Sequence, residues 1–513
     1  MGLEMKNVFK YLLWFFGFLM LVLYYFFMTK SGEERLCGWG GSYLSKELNN
    51  SIEIKSLNLW NYPKISTTLR INSLTDLDLE GEISSRGYVA LNYHLKGQGF
   101  RFDNLRVEDK IDLQGTIHGK LQRLSIDGKG ELFGGKGDYQ LIKEGDHYSD
   151  LVLHLKEIKT APLMKLAGVE KPVHARLDLN GTFSEISKLH QKGEAWFALH
   201  QIKIDSIEEN LSISKAYVHI SDALYRFNGK LEASHLGEIL IEEGEYHGIN
   251  RELMAQYNLD IPKLERLEPY VGHRYYGQLK SQGKLKYSAS KGIDIQGKSH
   301  DFGGDLKYHF FNNHLQMHLR GVELARLLQL YGYPAPLKAE LFGSVDYSVK
   351  NERLLVDTKL RKAHFQKSQL TEMLRKTAGI DLRKHLFDKS HLMGTYRHGL
   401  FEATLKVDDG KEHLYFNDIK LHTQKETIES RFELKMHHQE IYGTVHGSLK
   451  NPQISIDMKK LLRYQMDQQI GSILEHTKDK NIQKDINQVK EILNGVDMDQ
   501  VTDQAKKLFE GLF

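Results

Sequence analysis

From about Gly40 to Met458, apolar and polar residues alternate with a period of two. Leu151, Leu153 and Leu155 alternate with Val152, His154 and Lys156, and Ala175, Leu177 and Leu179 with His174, Arg176 and Asp178. The same beat returns at Phe432, Leu434 and Met436, and at Ile454, Ile456 and Met458. Successive side chains of a strand point to opposite faces, so each segment predicts a strand with one apolar and one wet face. Such strands belong in antiparallel sheet, because parallel strands buried on both faces read as unbroken apolar runs. The expected fold is mostly β, with a long antiparallel sheet and short corner helices.

Two segments depart from this beat. Tyr11–Met28 is apolar and uncharged, and its length falls within the roughly 17–25 residues that cross a bilayer as a helix. Residues 11–30 are expected to be a transmembrane anchor, with Tyr11, Trp14, Phe18, Leu21, Phe26 and Met28 in its apolar part. The run is longer than a signal-peptide core and no small-x-small cleavage site follows, so the anchor is expected to be retained. Lys6 and Lys10 precede it, which makes residues 1–10 a cytoplasmic tip if basic residues stay inside. At the other end, Leu462, Met466, Ile470 and Ile473, then Ile482, Ile486, Val489 and Leu493, are spaced by threes and fours. Residues 459–513 are therefore read as amphipathic helices. Acidic and basic residues balance there, which does not favour an anionic lipid surface. The body between is 31–458.

The body repeats itself. Leu151–Ile158 matches Leu315–Val322, and Leu163, Leu166 and Gly168 match Leu327, Leu330 and Gly332. Pro172, Ala175 and Leu177 match Pro336, Ala339 and Leu341. Upstream, Phe133-Gly134-Gly135 followed by Tyr139 matches Phe302-Gly303-Gly304 followed by Tyr308. Related units occupy Pro262–Gly283 and Leu370 through Gly379 to Gly394. The unit reads as strand, short helix, Gly, Pro, strand, Gly, strand. Six of the eight prolines sit in these corners, where they spare the ladder hydrogen bonds.

A chain with 40% hydrophobic and 27% charged residues folds. Its net charge of +3 and lack of a Lys/Arg block argue against nucleic acid as a partner. The single cysteine, Cys37, excludes an internal disulfide framework and any multi-cysteine metal site. The 25 histidines are scattered on strands (His154, His174, His219, His318, His446), and the adjacent His437 and His438 are expected to point to opposite faces of a strand. All are read as solvated. Neither a nucleophile elbow nor a phosphate-cradling Gly-rich loop is present. Asp408-Asp409-Gly410 reads as a hairpin turn. No catalytic, cofactor or metal residue is expected, and the chain is not read as an enzyme.

So much one-face-apolar sheet needs cover. It must close into a barrel, pack as dry sandwiches, or curl into a trough whose lining holds something apolar.

The N-terminal anchor, the Phe-Gly-Gly strands, the Leu-rich corner Leu324–Leu341 followed by Gly343, and the ending Gly443–Pro452 before terminal helices together resemble the AsmA-like family of Gram-negative envelope proteins. The likeness covers essentially the whole chain and rests on the order of elements. It implies a single-pass inner-membrane protein whose bulk lies in the periplasm as an open apolar β-groove. It further implies carriage of phospholipid between inner and outer membranes, with inner- or outer-membrane proteins as partners. In that reading the lining is Leu151, Leu153, Leu155, Leu177, Leu179, Leu341, Phe432, Leu434, Met436, Ile454 and Ile456. Ordinary sheet core is the competing role for each. The alternative function is an envelope assembly or chaperone factor that holds outer-membrane protein strands by β-augmentation.

Overall fold

A computed structural model describes residues 29–464, except 48–49, 60, 103–104, 108, 146, 167–172, 187–189, 205–206, 459 and 462–463. The expected membrane span, Tyr11–Met28, and nearly all of the expected terminal helices lie outside the described residues. Among the described residues no helix is long and apolar enough to cross a membrane.

An antiparallel sheet of 26 strands, not closed, accounts for most of the fold. The chain divides into two compact units, Met1–Asn258 and Leu259–Phe513. In the first, strands pair in chain order from Ile52–Asn58 to Gly237–His247. The short ribbon Phe100–Phe102 with Leu105–Val107 stands outside that ladder. In the second, they pair in chain order from Leu279–Ser288 to Asn451–Ile456. Tight turns make this meander possible: in the two-residue connections Asn312-Asn313 and His437-His438 both residues hold positive φ, as a type I′ hairpin demands. His437 and His438 therefore form a turn, not the strand that alternation suggested. The last strand ends at Ile456, leaving Met458 outside it.

Register gathers the apolar side chains on one face. Leu95 lies opposite Leu113, Ile117 opposite Ile126, Ile126 opposite Leu141, and Leu155 opposite Leu179. The other face of the first unit carries polar cross-strand pairs: Arg70 with Asp76 at 2.7 Å, His94 with Asp112 at 2.8 Å, and Tyr217 with Glu194 at 2.6 Å. An antiparallel sheet wetted on one side takes this form.

The β-beat does not start at Gly40. Lys30–Glu47 is an α-helix, and the first strand begins at Ile52. The helix lies along the outer edge of Ile52–Asn58. The Ser45 hydroxyl accepts from the Ile52 N–H (2.8 Å) and donates to its carbonyl (3.1 Å). A Cβ on Gly41 would meet the Ile52 carbonyl at 3.0 Å, and one on Gly40 the Ile54 side chain at 2.8 Å. These glycines let a helix close onto strand backbone and cover the edge.

The internal duplication is structural. Phe133 and Phe302 are both buried, and their carbonyls accept from the N–H groups of Lys159 (3.0 Å) and Glu323 (2.8 Å). Ile158 and Val322 are both fully buried just past a bulge, where Glu157 and Gly321 take positive φ. A Cβ on Gly135 or Gly304 would collide with the backbone of that bulge. The second Gly of each Phe-Gly-Gly thus permits a close backbone approach.

In the second unit the apolar face encloses a filled core. Leu370 and Leu374 of the helix Gln369–Ala378, with Ile380, Leu382 and Phe387 after it, pack with Leu360, Val407, Leu414, Leu434, Met436 and Ile441. Ser368 begins the helix with a capping box and Gly379 ends it in the left-handed region. The helix follows Arg353–Phe365 directly, yet it touches Asn451–Ile456 at the far end of the ladder. The intervening strands therefore wrap round it.

Leu374→Ala should remove about 2–5 kcal/mol of stability from this core, as cavity-forming core truncations do. Hydrogen exchange of the Phe432–Met436 amides should accelerate accordingly, and unchanged protection would refute the reading of Gln369–Ala378 and the segment to Phe387 as the plug of this core.

Candidate functional site: the half-exposed apolar face

The first unit hides its apolar face in a different way. Leu77, Leu79, Ile117, Ile126, Leu141, Leu153, Leu179, Phe183, Phe197 and Phe227 are all only half-buried on that face. Its fully buried large side chains are Ile111 and Ile158, among the described residues. Both lie at one end of their strands, near Phe133 and the short helix Thr160–Leu166.

Aromatic rings laid over glycines pave the rest. Tyr93 lies opposite Gly115, and Tyr139 opposite Gly128. A Cβ on Gly128 would fall on the Tyr93 hydroxyl. Tyr93 donates to the Asp127 carbonyl (3.1 Å) and meets the Tyr139 hydroxyl at 2.6 Å. With the Tyr93 proton on that carbonyl, Tyr139 supplies the second bond, so the two phenols satisfy each other within an apolar surface. Phe183 covers Gly181 and Gly193, and Phe227 covers Gly244. The device recurs in the second unit: Tyr308, the repeat of Tyr139, lies opposite Gly297 and bonds Ser281 at 2.6 Å.

The expected lining residues divide into two groups. Leu151, Leu153, Leu155, Leu177 and Leu179 share one face, since Leu155 pairs with Leu179, Leu153 with Gly181, and Leu151 with Phe183. Leu155 is buried and the other four are half-buried. Leu341, Phe432, Leu434 and Met436 lie instead in the filled core of the second unit, and Ile454 and Ile456 pack against it. These six lie on the apolar face of their strands, in or against that core. The helix Gln369–Ala378 and the segment to Phe387 occupy the space that an open lining would need. Half-exposed apolar residues of that unit lie at the other ends of its strands, at Phe310, Leu315, Tyr347, Leu354 and Phe401.

The polar face also has a concavity of about 770 Å³ in the first unit, lined in part by Asp78, Glu80, His94, Asp127, Asp138 and His154. Burying acyl chains against these carboxylates would cost their hydration, so the apolar face is the better site. His154, His219, His318 and His446 are exposed. His154 pairs with Asn180 at 2.9 Å. Asp408-Asp409-Gly410 begins a hairpin connection, with the Asp409 carboxylate accepting from the Lys411 and Glu412 N–H groups at 2.8 Å each. One grouping was not legible from sequence: His385, Glu412 and His437 meet in the second unit, although no short motif links residues so far apart.

Comparison with family models, with curated proteins and with solved structures returned no match.

Burial first, then the bond to Tyr139, pushes the Tyr93 phenol above its ordinary range. A raised phenol pKa gives stability that is complete below the unfolded value, about 10, and lost as pH rises towards the folded value, because only the unfolded chain sheds the proton. Tyr93→Phe should therefore flatten the decline in stability above about pH 10. Urea midpoints followed by tryptophan fluorescence test this, and identical alkaline slopes for the two proteins would exclude the assignment.

Proposed function

We propose that this protein is a lipid-transfer protein of the AsmA-like type. Residues 11–30 anchor it in the bacterial inner membrane, and its body stands in the periplasm. Phospholipid acyl chains lie on the apolar face of the first unit, with headgroups wetted at the strand ends. Transfer of this kind contributes to lipid traffic between the inner and outer membranes.

One observation carries the reading: a row of large, half-exposed apolar side chains crosses successive strands from Leu79 to Ile241, on a sheet whose reverse is charged. Strands lie about 4.8 Å apart, so the ladder from Thr75–Ile83 to Gly237–His247 runs roughly 50 Å. Soluble proteins rarely leave so long an apolar strip open without using it. Each methylene that leaves water for such a face contributes about 0.8 kcal/mol. A surface of repeated, similar side chains gives a sliding chain no deep trap. The paired tyrosine hydroxyls leave no unsatisfied polar group for it to cross.

The strand-holding alternative needs an open sheet edge. The helix Lys30–Glu47 covers the outer edge of Ile52–Asn58, and Asn451–Ile456 carries Pro452, which cannot donate to a ladder.

A photo-crosslinking residue at Leu153 or Leu179, in full-length protein in cells, should give phospholipid adducts detectable by mass spectrometry. The same residue at Gln140 or Thr182, exposed on the reverse face, should give few. Equal lipid labelling of both faces would overturn the proposal. Adducts to outer-membrane protein segments in place of lipid would support the holding role instead.

A further inference from the structure

We infer that His385, Glu412 and His437 form a binding site for a divalent transition-metal ion of the zinc class. The three residues come from separate parts of the second unit. His385 ends the 3₁₀ turn Leu382–Lys384. Glu412 closes the hairpin connection between Leu400–Asp408 and His413–His422. His437 begins the turn between Thr427–Met436 and Gln439–Ser448.

Their ligand atoms all lie within 4.8 Å of one another. His385 Nδ1 is 3.4 Å from Glu412 Oε2, and His437 Nε2 is 3.7 Å from Glu412 Oε1. Metal–ligand bonds of about 2.0–2.1 Å in a tetrahedral site place ligand atoms roughly 3.3 Å apart. Small side-chain rotations therefore bring the three donors to coordinating distance. Two imidazoles and one carboxylate suit zinc or another late first-row ion, and leave a position for water.

The surrounding hydrogen bonds hold the ligands in place. The Asp409 side chain accepts from the Lys411 and Glu412 N–H groups at 2.8 Å each and fixes the turn that presents Glu412. The His437 N–H also donates to Glu412 Oε1 at 3.1 Å, orienting that carboxylate. His437 has φ 50° and His438 φ 61°, where Asn-Gly would be the relaxed choice.

The location gives the ion a task. Phe387, two residues after His385, is fully buried and exchanges backbone hydrogen bonds with Ala363 (2.8 and 3.0 Å). Met436, next to His437, is buried in the same core. A bound ion would clamp the end of the plug segment to two strand connections and hold the core shut. An ion that binds only the folded form raises its stability.

The test uses full-length protein titrated with Co²⁺ and then Zn²⁺. One equivalent of Co²⁺ should give a visible d–d band that Zn²⁺ abolishes, and Zn²⁺ should slow hydrogen exchange at Ala363 and Phe387. His385→Ala, Glu412→Gln and His437→Asn should each weaken binding at least 10-fold. His437→Asn retains a residue that tolerates positive φ, so it separates loss of a ligand from loss of the fold. Absence of saturable Co²⁺ or Zn²⁺ binding, or undiminished binding in His437→Asn, would overturn the site.

Discussion

An antiparallel sheet that gathers most of its large apolar side chains on one face must hide that face, and the rest of this protein follows from how it does so. Within each unit the described ladder strands pair in chain order, so successive strands extend one sheet. Cover has to come from helices at the strand ends, from curling, or from the side chains themselves. The second unit curls its last strands around one amphipathic helix and fills the space with Leu374, Leu382 and Phe387. Among the described residues of the first, the short helix Thr160–Leu166 stands at one strand end and the face is left half in water.

Glycine and aromatic residues make that half-exposed state tolerable. A ring laid across a glycine removes apolar surface from two strands at once and fills the gap a missing Cβ leaves. Tyr93 over Gly128, Phe183 over Gly193 and Phe432 over Gly443 repeat the device in both units. Edges are handled with equal economy. Ser45 bonds both backbone groups of Ile52 at the first edge, and glycines on the helix allow the approach. The proposed lipid role and the proposed metal clamp act on opposite problems: one gives the open face an occupant, the other keeps the filled core closed.

Much of this was legible beforehand. The strands around Leu153, Leu177 and Phe432 and the leucine-rich corners sit where periodicity put them. The duplication reappears as matched bulges, matched buried phenylalanines and matched Phe-Gly-Gly approaches. The helix Lys30–Glu47 was missed because its glycines and mixed polarity carry no helical period; a strand edge selects them, not a core. His385, Glu412 and His437 were missed because hairpin register and plug placement bring them together. Leu434 and Leu153 read identically along the chain, yet one is sealed and the other is half-open.

Alternation, turn residues and corner prolines act between neighbours, so the amino-acid sequence by itself determined strand identity, antiparallel pairing and the apolar face. Which stretches of that face are covered was decided only in three dimensions. Cover depends on where the helix Gln369–Ala378 lands after the strands wrap, and that contact joins residues far apart in the chain.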